Sequence, residues 1–129
     1  MNSPYKPQGY NSLSPYLVID GAQALIDLLD IIFGIEVLRR YERPDGGILH
    51  AEIRLDDTVL MVADANEQYP PKQHLLHVYV PDVDAVFAKA LAAGCQEVQP
   101  PQQSDDDPDR RGMFADFAGN TWALAAQAS

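Results

Sequence analysis

The spacing of apolar and polar residues changes several times along the chain, and each change marks an element boundary. Residues 1–12 hold no sustained period and carry Pro4 and Pro7, which predicts an extended arm. Leu17-Val18-Ile19 is a short apolar run closed by Asp20-Gly21, a strand and its turn. From Ala22 the spacing becomes helical: Leu25, Leu28, Leu29 and Ile32 share one face, and Gly34 supplies a C-terminal stop. Ile35–Glu42, Ile48–Leu55 and Thr58–Ala63 then alternate as strands, separated by Pro44-Asp45-Gly46-Gly47 and by the tight turn Asp56-Asp57. Residues 65–73 are polar, carry Pro70-Pro71 and predict a linker.

The second half repeats this order. Leu75–Val80 predicts a strand, Val83, Val86, Phe87, Ala90 and Leu91 a helix stopped by Gly94, and Glu97-Val98 a short strand. A polar loop follows over residues 100–109, then strands near Arg111–Phe117 and Thr121–Ala125 around a Gly119-Asn120 turn. Val18-x-Asp20 matches Val80-x-Asp82, Gly34-x-Glu36-Val37 matches Gly94-x-x-Glu97-Val98, and Asp57–Met61 matches Asn120–Leu124. The offset stays near 60–63 residues throughout. The chain therefore divides into the arm, one βαβββ module over residues 13–64, the linker, and a second module over 74–129, together one compact α+β domain.

A sheet covered by a helix on one face leaves its other face open. Two such units are expected to curl eight strands into one mixed sheet around a hollow. Strand parity then assigns faces. Ala51, Ile53 and Leu55 suit the helix side, which turns His50, Glu52 and Arg54 toward the hollow. Leu76, Val78 and Val80 likewise pack under a helix, leaving Leu75, His77 and Tyr79 on the hollow. Trp122, in step with Leu124, and Tyr16, in step with Val18, are expected in the core rather than as ligand-stacking rings; Phe114 is a further aromatic candidate.

Composition narrows the function classes. Nineteen acids against nine bases give a net charge of −10 over 129 residues. Such a surface repels polyanions, so nucleic acid and anionic membrane surfaces are excluded as partners. The same charge favours encounter with cations. Cys95 is the single cysteine, which excludes an internal disulfide and a cysteine-based metal knot and fits a reducing, cytoplasmic location. Residues 1–16 lack the apolar core of a secretory signal, and no apolar stretch is long enough for a membrane span. Cys95 has no His or Asn at nucleophile-motif spacing, and no phosphate loop, dinucleotide fingerprint or serine elbow is present.

Four stretches in order, SPYLVIDGAQALID, PDGGILHAEIRLDDTVLMVAD, HVYVPDVDAVFAKALAAG and DRRGMFADFAGNTWALA, resemble the vicinal oxygen chelate superfamily. That is the glyoxalase, bleomycin-resistance and extradiol-dioxygenase group, and the wording is most similar to its PhnB-like branch. The resemblance implies paired βαβββ modules and a homodimer. It also implies one divalent metal held by a His or Gln in each module's first strand and a Glu in each last strand. On this chain those slots fall at Leu13, Leu60, Leu75 and Ala123, none of which carries a donor. No metal or other cofactor is expected at the usual site, and moving by one residue to His74 would supply only one ligand.

Two functions remain. In the first, the hollow binds a small organic molecule, cationic or aromatic, lined by His50, Glu52, Arg54, His77, Tyr79 and Arg110. It would resemble the drug-sequestering bleomycin-resistance members. In the second, the chain is a metal-dependent lyase, isomerase or dioxygenase with an atypical site at His50, Glu52 and His77, because two His and a carboxylate suit a divalent metal. The same Glu-His pair could poise a general base. Asp109-Arg110 could clamp an anionic group or form a local salt bridge, and Asp105–Asp107 is expected to be a solvated loop.

Overall fold

Two βαβββ units follow one another in the computed structural model, which describes residues 5–128; residues 1–4 of the expected arm, and residue 129, lie outside the described residues. The first unit runs β1 (Tyr16–Ile19), α1 (Ala22–Phe33), β2 (Ile35–Glu42), β3 (Ile48–Leu55) and β4 (Thr58–Asp64). The second runs β5 (Leu75–Tyr79), α2 (Val83–Ala92), β6 (Gln96–Gln103), β7 (Asp109–Ala115) and β8 (Thr121–Gln127). Each unit makes a four-stranded mixed sheet, ordered β1-β4-β3-β2 and β5-β8-β7-β6. The last strand returns beside the first in parallel, and the other pairings are antiparallel.

The eight strands do not form the one continuous sheet expected from the sequence. Each sheet ends at its own first strand, and no ladder joins β1 to β5. Side chains join the modules instead. α1 buries Ala22, Leu25, Ile26, Leu29 and Ile32, and a large apolar side chain so buried contributes roughly 1.5–3 kcal/mol. Its last residue, Phe33, crosses to the other module and packs on Trp122 at 5.6 Å and Phe114 at 6.4 Å. α1 also packs on α2, so both helices and the helix-side face of each sheet share one core.

The two helices start differently. α2 has a conventional cap, Asp82 accepting from the Ala85 amide at 3.1 Å. α1 starts at Gly21, which sits at φ 86°, ψ 48° and has no capping side chain. Asp64, at the end of β4, caps it from across the module. One carboxylate oxygen accepts from Ala22 N at 2.8 Å and the other from Ile48 N at 2.7 Å. Burial opposes its charge, but these amides, that of Gly21 and the nearby Arg43 outweigh burial and hold the carboxyl below its ordinary range.

β6 is longer than the two-residue strand expected. It extends through Pro100 and Pro101 to Gln103, absorbing the first four residues of the expected polar loop. As an edge strand paired only with β7, it can carry prolines whose missing N–H groups no neighbour requires, and its register shifts twice along the way.

Candidate functional site

On the first sheet, Ala51, Ile53 and Leu55 turn to the helices, while His50, Glu52 and Arg54 turn to the opposite face, as strand parity predicts. Glu52 is only 6% exposed on that face because three side chains close over it. His50 Nε2 lies 2.8 Å from its Oε2, Tyr10 O–H donates to its Oε1 at 2.5 Å, and Arg39 Nε stands at 3.6 Å. Burial opposes the charge, but the Tyr10 and His50 hydrogen bonds and the Arg39 charge prevail and hold Glu52 below its ordinary range. An ionised carboxylate can only accept, so His50 donates to it from Nε2, and its Nδ1 lies 2.9 Å from the Tyr16 hydroxyl. The result is a hydrogen-bonded chain, Tyr16–His50–Glu52–Tyr10. Tyr41 stacks on His50 at 6.4 Å. Arg54 pairs with Glu36 at 3.2 Å on the same face.

The open face of the second sheet carries the second group. Tyr79 is 61% exposed, packs edge-on against His77 at 5.0 Å and donates its hydroxyl to Asp109 at 2.8 Å. Arg111 donates to Asp107 at 2.5 Å, to Asp109 at 3.1 Å and to His77 Nε2 at 3.2 Å. Arg110 is elsewhere. It faces the helix side and clamps Asp84 of α2 through two bonds of 2.7 and 2.8 Å, a salt bridge to a distant residue rather than the local one expected. Arg111 takes the open-face place, and alternation with the buried Phe114 already implied this.

Sequence reasoning also missed Tyr10, Arg39 and Tyr16. Tyr16 is 46% exposed and belongs to the open face; it is Leu17 and Ile19 of β1 that are buried. Phe114 and Trp122 are fully buried and stacked on each other, so Phe114 is core rather than a ligand-stacking ring. Between the first strands of the two sheets lies a cleft of about 580 Å³, reached by Tyr16, His77 and Tyr79. His50 and Glu52 connect to it through the Tyr16 hydroxyl.

The metal slots inferred from the resemblance need one correction. Leu60 shares the face of Ile53 in the helix-side core rather than the face of Glu52. In the parallel ladders Tyr16 stands beside Met61 and His77 beside Ala123, which makes Met61 the counterpart of Ala123. Leu13 precedes β1, and Leu75 is 73% exposed at the start of β5. Leu13, Met61, Leu75 and Ala123 offer no oxygen, imidazole or thiolate donor, so these residues do not fit a divalent metal. His74 Nδ1 is engaged with Asn120 Oδ1 at 2.7 Å. Among the described residues, no group of three or more His, Cys, Asp or Glu is placed to hold a metal. The trio His50, Glu52 and His77 is therefore not one cluster: the first two are bonded, and His77 bonds to Arg111 on the other sheet.

The family model for the glyoxalase/bleomycin resistance protein/dioxygenase superfamily matches residues 14–124. The chain belongs to this superfamily. An uncharacterized protein of Mycobacterium bovis is 33% identical over 126 residues, covering 88% of this chain and 81% of its own. Two solved structures share the fold of this chain. The PhnB protein from Bacillus cereus superposes with a TM-score of 0.70 at 18% identity, over 90% of this chain and 99% of that one. TnmS3, an antibiotic binding protein from Streptomyces sp. CB03234, superposes at 0.67 with 21% identity, over 92% and 98%. Among the described residues, no helix is long and apolar enough to cross a membrane.

Proposed function

We propose that this chain is a small-molecule-binding protein of the glyoxalase/bleomycin-resistance type, holding a cationic or aromatic organic ligand against the open sheet faces without the usual metal. The observation that carries this is the chemistry of those faces. On the open face of the first sheet Ala63 lies with the rings of Tyr16, Tyr41 and His50, and on that of the second Ala123 and Ala125 pair with His77 and Tyr79. Such a mixture of flat apolar area and a few polar groups suits an aromatic ligand. The net charge of −10 adds attraction for cations. TnmS3, an antibiotic binding protein of the same fold, supports small-molecule binding.

We also propose a cytoplasmic homodimer, since the first strands expose Leu75, Tyr79 and Tyr16, which a second copy would cover. The second reading is metal-dependent catalysis, which the 2.8 Å His50–Glu52 pair favours as a nucleus.

One experiment separates the two. Demetallated protein is unfolded thermally against zinc, nickel, manganese and anaerobic ferrous iron, and against a panel of cationic and aromatic compounds. A ligand at a hundred times its dissociation constant stabilises by about 2.7 kcal/mol, about 10 °C for an unfolding entropy near 2.1 cal/mol/K per residue. Saturable shifts with organic compounds alone support binding. A metal shift that His50→Ala removes would sink the metal-free reading and send the test on to assays of turnover.

A further inference from the structure

Tyr10 reaches the first sheet from outside both modules. Residues 5–15 contain no helix or strand, and the segment is seated through its polar and aromatic groups. The Tyr10 hydroxyl donates to Glu52 at 2.5 Å, the Arg39 guanidinium lies over its ring at 5.5 Å, and Arg54 donates to the Gly9 carbonyl at 3.5 Å. Gly9 is required for this approach. It sits at φ +84°, and a Cβ there would stand 2.8 Å from Arg54 Nη2.

The receiving niche owes nothing to the arm. Glu52 comes from β3, Arg39 from β2, and the second Glu52 oxygen is already fixed by His50, which Tyr16 orients in turn. Without Tyr10, one oxygen of the Glu52 carboxylate would lose its hydroxyl donor and open to solvent, with a cation beside it to cover a ring face. That pairing suits an aromatic hydroxyl, whose O–H meets the carboxylate while its ring lies under the guanidinium. An apolar ring leaves the acceptor unfilled, and an aromatic carboxylate meets the Glu52 charge.

We propose that the Glu52–His50–Arg39 niche is a binding site for phenols, occupied in the free chain by Tyr10 of the chain's own arm, which a phenolic ligand displaces. This rests on the reading that the open faces bind small molecules, and it names the chemical class for one of them. The arm is then a tethered competitor. A short tether presents its group at an effective concentration in the millimolar range, so it screens out weak ligands while yielding to strong ones.

The test is calorimetric titration of 4-methylphenol, the tyrosine side chain itself, into the wild-type chain, Tyr10→Ala, Tyr10→Phe and the double variant Tyr10→Ala/Glu52→Gln, with toluene and 4-methylbenzoate as controls. Tyr10→Ala should bind 4-methylphenol about tenfold more tightly than wild type. Tyr10→Phe keeps the ring in place and should gain less. Glu52→Gln should abolish the gain, and neither control should gain from the loss of Tyr10. Equal 4-methylphenol affinity with and without Tyr10, a gain that survives Glu52→Gln, or an equal gain for toluene would overturn the proposal. If aromatic compounds bind the full chain while Tyr10 substitutions change no affinity, the phenol niche fails and small-molecule binding stands. If no compound binds any variant, both fail.

Discussion

Asp116→Asn exchanges one oxygen for an NH2 group and almost nothing else, yet it should be among the costliest changes in the second module. Asp116 Oδ1 accepts from the amides of Ala118 at 2.9 Å and Asn120 at 3.0 Å; Oδ2 accepts from Asn120 Nδ2 and Trp122 Nε1, both at 2.9 Å. All four partners are donors. Whichever way the new amide is turned, its NH2 confronts two N–H groups, and two hydrogen bonds are lost. Asn120 and Trp122 are fully buried, so water cannot replace the partners. Each orphaned buried donor costs about 1–3 kcal/mol, and partial relaxation of Asn120 brings the sum to about 3 kcal/mol. In urea, with a slope of about 1.5 kcal/mol/M, the midpoint should fall by about 2 M. Trp122 is the single tryptophan and reports the transition by fluorescence. In a Trp122→Phe background one of the donors is gone, so the same substitution, followed by circular dichroism, should cost about 1–2 kcal/mol less. A loss under about 1 kcal/mol in the wild-type background, or a loss that Trp122→Phe leaves unchanged, would refute the reasoning.

Further expectations concern single groups. Asp64→Asn should destabilise by about 1–3 kcal/mol, since charge-assisted bonds to Ala22 and Ile48 are weakened. Because the folded Asp64 carboxyl lies below its ordinary value, its contribution is complete above the unfolded pKa and fades as pH falls through the folded one. The variant should therefore show a shallower acid limb in thermal unfolding. Glu52→Gln should release the arm, and hydrogen exchange at residues 8–12 should accelerate at least severalfold, unchanged protection being the contrary result. The Cys95 thiol is pushed up to about 11 by burial and by the Asp116 charge, so a disulfide reagent at pH 8 should label the native protein only at the rate of opening, while urea-unfolded chain reacts at once.

The repeat, both helices and the faces of β3 and β5 were legible because alternation and helical spacing are local signals. The exceptions have local causes too. Leu60 was placed on the hollow by aligning Asp57–Met61 with Asn120–Leu124. The ladders pair Tyr16 with Met61 and His77 with Ala123, one residue away from that match, and a slip of one residue turns a strand over. Tyr16 misled for the same reason: in a strand as short as β1 two apolar sets compete, and only the pairing decides between them. Arg110 and Arg111 are adjacent, so the one facing the hollow follows from the strand's phase, which buried Phe114 sets. Tyr10 gave no signal at all. Its partner Glu52 lies 42 residues away, and nothing periodic in an arm announces where its ring docks.

The central claim, that the open sheet faces hold a small organic ligand, is tested most directly by backbone amide chemical-shift mapping of the isotope-labelled chain against the strongest compound from the thermal screen. The largest saturable shifts should fall on open-face positions such as His50, Glu52, Met61, His77, Arg111 and Ala123, with α1 and α2 little moved. Shifts confined to the helices, or none at saturating compound, would contradict it.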